Sequence, residues 1–358
     1  MTRLYVGMQH DALMIYDNAS GEWEATSQLE GKPIQCIAVD PHHNERIYCG
    51  TFGDGLWRSD DSGATWSQVG QDIPHKEIMA VTPSPSERAG EYGVLYIGTE
   101  PSALYRSENG GETVVERTAL LDLPSKDTWS YPPRPWTHHV RWIQCDPYLP
   151  NILFVAIEQG GVMRSLDKGV TFEDRKPGAQ LDCHGMAMHK RTAGRVYEAA
   201  GGETPVFQQG PRGEYVVMTG GGYAQSYNEG TTWKTITDGL DYHYGWHIAV
   251  DPGNPETMIM SVAQGPAHAH QPPMAESFLY RRTGGGAWRR LEGNGLFEPQ
   301  GSLVSELATL DTLPGVFYAA NNKGVFRSSD AGETWEKLPL PWPEKYARKH
   351  VRGFAVVE

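Results

Sequence analysis

Histidine, arginine and carboxylate side chains stand at matched places in seven short apolar segments of this sequence. Aligning the segments on Ile37, Met79, Ile143, Met186, Ile248, Leu307 and Phe354 puts Gln35, Glu77, Arg141, His184, Trp246, Ser305 and Arg352 two residues upstream. Two further back stand Pro33, His75, His139, Asp182, Tyr244, Leu303 and His350. Residues two apart on a strand share a face, so each set describes one ring if the strands are arranged around an axis. Packing alone would not select such residues. Arg141 and Arg352 each offer the planar fork that binds an anionic group. Glu77, with Glu100 or Glu158 from neighbouring segments, supplies the paired carboxyls that glycoside cleavage needs. His139, His184 and His350 are suited to proton transfer, or to holding a divalent metal with Glu or Gln. Tyr244, Trp246, Trp136 and Trp142 offer faces for a sugar or another ring, and Gln35 a polar contact.

The elements that must position these residues form a repeat. Each apolar segment is followed by a second strand such as Ile47-Tyr48-Cys49-Gly50-Thr51 and a third such as Leu56-Trp57-Arg58-Ser59. A box then closes the unit, read most fully as Ser59-x-Asp61-x-Gly63-x-Thr65-Trp66 and Ser328-x-Asp330-x-Gly332-x-Thr334-Trp335. Looser boxes end at Val114, Phe172 and Trp233, and eroded ones at Trp23 and Trp288, so successive boxes lie 43 to 61 residues apart. Asp and Ser bonding nearby backbone N–H groups, with Gly at positive φ, is the chemistry of a tight turn between strands. A repeat of this length is one supersecondary unit, stacked on its neighbours to bury a shared core. Gly353 to Val357 repeats the first-strand pattern with nothing after it, whereas the N-terminal segments lack a first strand. Joined, they complete a seventh unit and close a ring without an open edge. A water-filled channel through such a ring is polar without any function, which is the plain alternative reading of the two residue rings.

The box resembles the Asp-box (BNR) repeat of sialidases, xyloglucanases, sortilin-type receptors and a photosystem II assembly factor, and the likeness runs the length of the chain. It implies an all-β fold, a seven-bladed β-propeller of four-stranded antiparallel blades, with the box between the two outer strands and far from the active centre. The sialidase machinery is not carried over. No Phe/Tyr-Arg-Ile-Pro motif occurs here, and only Arg141 and Arg352 fall on inner-strand positions.

With 358 residues, residues 1–358 are read as one propeller domain. The net charge of −13, dispersed along the chain, argues against a nucleic-acid partner. No stretch reaches the roughly 18 apolar residues that crossing a membrane requires. The opening Met-Thr-Arg-Leu-Tyr-Val-Gly reads as a strand rather than a leader, so a cytoplasmic location is expected. Three segments, 120–137, 201–215 and 265–277, exceed the repeat, and excess loops are where function collects. The sequence therefore points to a glycosidase-like or lyase-like enzyme acting on a carbohydrate or other small anionic ligand at the channel mouth. The alternative is a binding or assembly scaffold using the same face. A divalent metal is compatible with the histidines, and the sequence names no particular cofactor.

Overall fold

The structure is a computed structural model and describes residues 2–201, 204–210, 213–219 and 221–358, with side chains left aside between 202 and 220. Its strands form seven antiparallel blades around a central channel, a seven-bladed β-propeller. Blade 1 runs from the inner strand Ile34–Asp40 through His43–Thr51 and Leu56–Ser59 to the outer strand Ser67–Val69. Blades 2 to 6 have inner strands Glu77–Ala89, Val140–Cys145, Cys183–Met188, Tyr244–Asp251 and Glu306–Ala308. In blade 3 the outermost strand is reduced to a single bridge between Arg164 and Glu173. Blade 4 carries an inserted hairpin, Thr204–Gly210 with Gly213–Thr219, where the sequence shows its second long segment. Residues 202 and 203, part of that segment, lie outside the described ones.

The seventh blade combines the two ends of the chain. Val351–Val357 pairs antiparallel with Arg3–Met8, which continues to Asp11–Asp17 and Glu24–Lys32. Seven clusters of buried apolar side chains fill the seven spaces between neighbouring blades. Tyr48, Ile78 and Leu95 lie between blades 1 and 2, for example, and Leu4, Tyr318 and Val351 between blades 6 and 7. Each sheet is thus buried on both faces, and burial at about 25 cal/mol per Å² of apolar area holds the ring together.

The box turns repeat one network. Ser59 Oγ donates to Asp61 Oδ1 (2.8 Å) and accepts from Gly63 N (2.8 Å), while Asp61 Oδ1 and Oδ2 accept from Thr65 N (2.8 Å) and Thr65 Oγ1 (2.6 Å). Trp66 closes over the turn and donates its indole N–H to Gly63 O (3.0 Å). The same Ser-to-Gly bond recurs at Ser107, Ser165, Ser226 and Ser328. Ser62 at φ 60° and Gly63 at φ 90° show why the turn needs glycine beside a residue that tolerates the left-handed region. Because the box follows each third strand, it lies at the end of the ring opposite the starts of the inner strands.

The inner strands share a second repeated feature. Pairing with the second strand skips one residue in six of them: Gln35, Met79, Arg141, His184, Trp246 and Arg352. A β-bulge leaves its extra residue outside the ladder and re-aims the side chain. This is what turns Gln35, Met79, Arg141, Trp246 and Arg352 into the channel.

Candidate functional site

Four of the bulged residues, Gln35, Met79, Arg141 and Arg352, form a waist across the channel and line the cavities on both sides of it. The cavity at the mouth measures about 530 Å³ and the one at the far end about 400 Å³. The mouth cavity is walled by the starts of the inner strands, the ends of the second strands and two of the long loops. Loop 120–137 folds through two short 3-10 turns and brings in Tyr131 and Arg134. The loop after Ala263 folds into a short helix, Pro266–His270, that brings in His270.

One wall is a chain of alternating charges. Arg134 grips Glu100 through two nitrogens, Nε at 2.7 Å and Nη2 at 2.5 Å. The Glu100 carboxylate lies 3.3 Å from His139 Nδ1, and Glu158 Oε2 lies 3.0 Å from His139 Nε2. Burial alone would lower the His139 pKa, but the two carboxylates outweigh it and hold the imidazolium above its ordinary range. Burial likewise acts to raise Glu100 and Glu158, and the cations beside them keep both ionised below the usual carboxylate range. Tyr131 packs edge-on against His139, with ring centres 4.7 Å apart.

The next blade adds Asp182 and His184. His184 is fully buried, its Nδ1 2.8 Å from the Gly245 carbonyl and its Nε2 3.5 Å from Asp182 Oδ1. Burial pulls its pKa down, and Asp182 and Glu158 reverse the sign. Gly201 makes room for Asp182, since a Cβ at that position would stand 1.9 Å from Asp182 Oδ2.

Beside His184 the wall becomes aromatic and cationic, with Tyr244 and Trp246 each 4.9 Å from its ring between centres. The Arg141 guanidinium lies 4.4 Å from the centre of the Trp246 ring and that of Arg352 5.7 Å. Arg141 Nε reaches only to 3.8 Å from Glu158, and Arg352 makes no ion pair among the described residues. Burial first, and Arg141 second, lower the Arg352 pKa, the mark of a cation short of an anion. Trp246 is fixed by donating to Glu306 Oε1 (2.9 Å). Tyr244 OH and His270 Nε2 are 3.0 Å apart, and His350 donates from Nε2 to the His270 carbonyl (3.1 Å). Burial and the nearby Arg352 push His350 down to about 3, so it is neutral and its Nε2–H props the His270 carbonyl.

Of the residues singled out from sequence, Gln35, His139, Arg141, Glu158, Tyr244, Trp246 and Arg352 line the mouth cavity. Glu100 and His184 stand directly behind it. Glu77 is not in the lining; Met79 occupies the bulge where the alignment puts Glu77. The cause is local, because Ile78, Met79 and Val81 are all apolar and blade 2 aligns on Val81 rather than on Met79. His350 also lies outside the lining. Trp136 is 80% exposed and away from the cavity, and Trp142 faces the far-end cavity beside His247. Arg134, Tyr131 and His270 are residues the alignment of rings does not supply. The excess length of their loops is the signal that finds them.

No established family description matches the chain. A xyloglucanase of Acetivibrio thermocellus, Xgh74A, is 34% identical over 98 residues, covering 22% of this chain and 12% of that protein. The GH74 enzyme of Niastella koreensis superposes over 93% of this chain with a TM-score of 0.64 at 16% identity. The chain spans about half of that enzyme, 52% of its length. YCF48, solved with a D1 peptide bound, superposes over 86% of this chain and 80% of its own, with a TM-score of 0.54 at 15% identity. These likenesses show the fold, a seven-bladed propeller shared with GH74 enzymes and with YCF48. Among the described residues no helix is long and apolar enough to cross a membrane.

Proposed function

We propose that this chain is an Asp-box propeller enzyme that takes an anionic carbohydrate into the mouth cavity and cleaves it in a glycosidase-like or lyase-like reaction. The observation that carries the reading is the pair Arg141 and Arg352, two half-buried to buried guanidiniums on the Trp246 ring, of which Arg141 reaches a carboxylate only at 3.8 Å and Arg352 forms no ion pair among the described residues. A carboxylate or sulfate on a sugar would supply the missing charge, and Trp246 and Tyr244 would pack against the ring that bears it. The proton chemistry falls to His139, held between Glu100 and Glu158, and to the carboxylates Glu158 and Asp182 beside it. The partial likeness to a xyloglucanase and the GH74 fold support the carbohydrate reading.

The scaffold reading draws on YCF48, which holds a peptide on the same fold. A concave cavity of about 530 Å³ with converging charges fits a small ligand better than the flat exposed patch a protein partner uses. Calorimetric titration with uronate-containing, sulfated and neutral oligosaccharides tests the choice. Acidic oligosaccharides are expected to bind and to be shortened, with new reducing ends or with absorbance of an unsaturated product. Equal or absent binding across the three sets ends the anionic-sugar reading.

A further inference from the structure

The chemistry of Glu158, Asp182 and His184 extends beyond a charge network. One donor atom from each, two carboxylate oxygens and an imidazole nitrogen, lies within 4.8 Å of the other two. His184 Nδ1 is committed to the Gly245 carbonyl at 2.8 Å. That bond orients the ring and leaves Nε2 as the inward-facing atom, as the outer hydrogen bond of a metal-bound histidine does. Nε2 is buried, has no hydrogen-bond partner among the described residues, and stands 3.5 Å from Asp182 Oδ1. A good N–H···O bond would be closer to 2.9 Å. Two ligands each about 2.0–2.2 Å from one ion in a tetrahedral site stand about 3.3–3.6 Å apart, which this pair matches.

We propose that Glu158, Asp182 and His184 form a divalent-metal site in the wall of the mouth cavity, selective for an ion that accepts mixed imidazole and carboxylate ligation, Mn2+ or Zn2+. One nitrogen with two carboxylate oxygens is a donor set for these ions rather than for calcium, which takes oxygen ligands throughout. Three protein ligands leave positions open, as in catalytic rather than structural sites. Because Glu158 and Asp182 line the cavity, those positions face the space where the ligand of Arg141 and Arg352 would lie. An anionic oxygen entering there would complete the coordination. Gly201 belongs to the site as the position whose missing side chain lets Asp182 reach it.

The site stands on its own residues and does not depend on the carbohydrate reading. The test uses the full chain after chelator treatment and dialysis, titrated calorimetrically with Mn2+ and with Zn2+ alone. One equivalent is expected to bind. His184→Ala and Asp182→Asn should each weaken binding at least tenfold, while His43→Ala, at the far-end start of strand His43–Thr51, leaves it unchanged. Anomalous diffraction from wild-type crystals soaked in Mn2+ should place one peak among the three side chains, and this arm decides if a variant fails to fold. Absence of binding, equal binding in both site variants, or a peak elsewhere would overturn the metal site. Acidic-oligosaccharide binding by metal-free protein would stand regardless of that result, so the two readings fail separately.

Discussion

At the far end of the ring, Ser59, Ser107, Ser165, Ser226 and Ser328 each accept the same bond from a glycine N–H four residues on. At the mouth the bulged position, present in six blades, holds five residue types, with only arginine used twice: Gln35, Met79, Arg141, His184, Trp246 and Arg352. The far end therefore solves one physical problem repeatedly, a tight turn with satisfied backbone groups. The mouth uses the same backbone position to place groups that act once. Symmetry in sequence marks what the ring needs in order to stand. Departure from symmetry at a symmetric position marks what it needs in order to act.

If both ends depend on closure, the largest effect comes from removing the strand that joins them. Deleting residues 351–358 strips the inner strand from blade 7, exposes the edge of Arg3–Met8 and removes Arg352 with it. Loss of cooperative unfolding and aggregation are expected, measured by thermal melts and light scattering. A truncated chain that melts like the full one would mean that closure is not what supports the two ends.

Glu198, in the body of blade 4 away from both ends, gives the next largest effect. It is fully buried, and burial raises its pKa to about 8 from an ordinary 4.5. The folded chain keeps this proton while the unfolded chain releases it, so stability falls as pH rises from 4.5 to 8. At 1.36 kcal/mol per pKa unit the loss between pH 5 and 8 is about 3 kcal/mol. Chemical denaturation across this range should show a fall in wild type that Glu198→Gln lacks. Parallel curves for the two proteins would show that Glu198 is ionised in the fold.

The third effect belongs to the mouth alone. Arg141→Ala and Arg352→Ala should each weaken binding of an acidic oligosaccharide at least roughly tenfold, about 1.4 kcal/mol, with melting temperatures little changed. Binding that survives both changes would move the ligand away from the waist of the channel.

These expectations also measure how far the sequence could be read. Blade number, ring closure and the box turn followed from repetition, because the same physical need leaves the same residues at regular spacing. The ring positions of Arg141, His184, Trp246 and Arg352 followed from aligning inner strands. The bulge that turns them inward left no residue signature, since a bulge is a matter of pairing register. Blade 2 shows the limit: two apolar frames fit its inner strand, and the wrong one selects Glu77 in place of Met79. Arg134 and His270 reach the cavity only through loop conformations that have no counterpart in other blades. Partners such as Gly245 for His184 belong to neighbouring strands distant in sequence.

The smallest effect tests the far end by itself. Asp61 accepts from Ser59 Oγ, Thr65 N and Thr65 Oγ1, and these bonds keep its pKa below the ordinary aspartate value. The carboxylate is exposed, so its bonds compete with water and each is worth little. Asp61→Ala should lower stability by about 1 kcal/mol, seen as a small drop in the denaturation midpoint, because the turn retains Ser59 bonded to Gly63 and Trp66 packed over it. Ligand and metal binding at the mouth should not change, since the box lies at the opposite end of its blade. Loss of binding with unchanged stability would show that the repeated end takes part in function, and the division of labour between the two ends would fail.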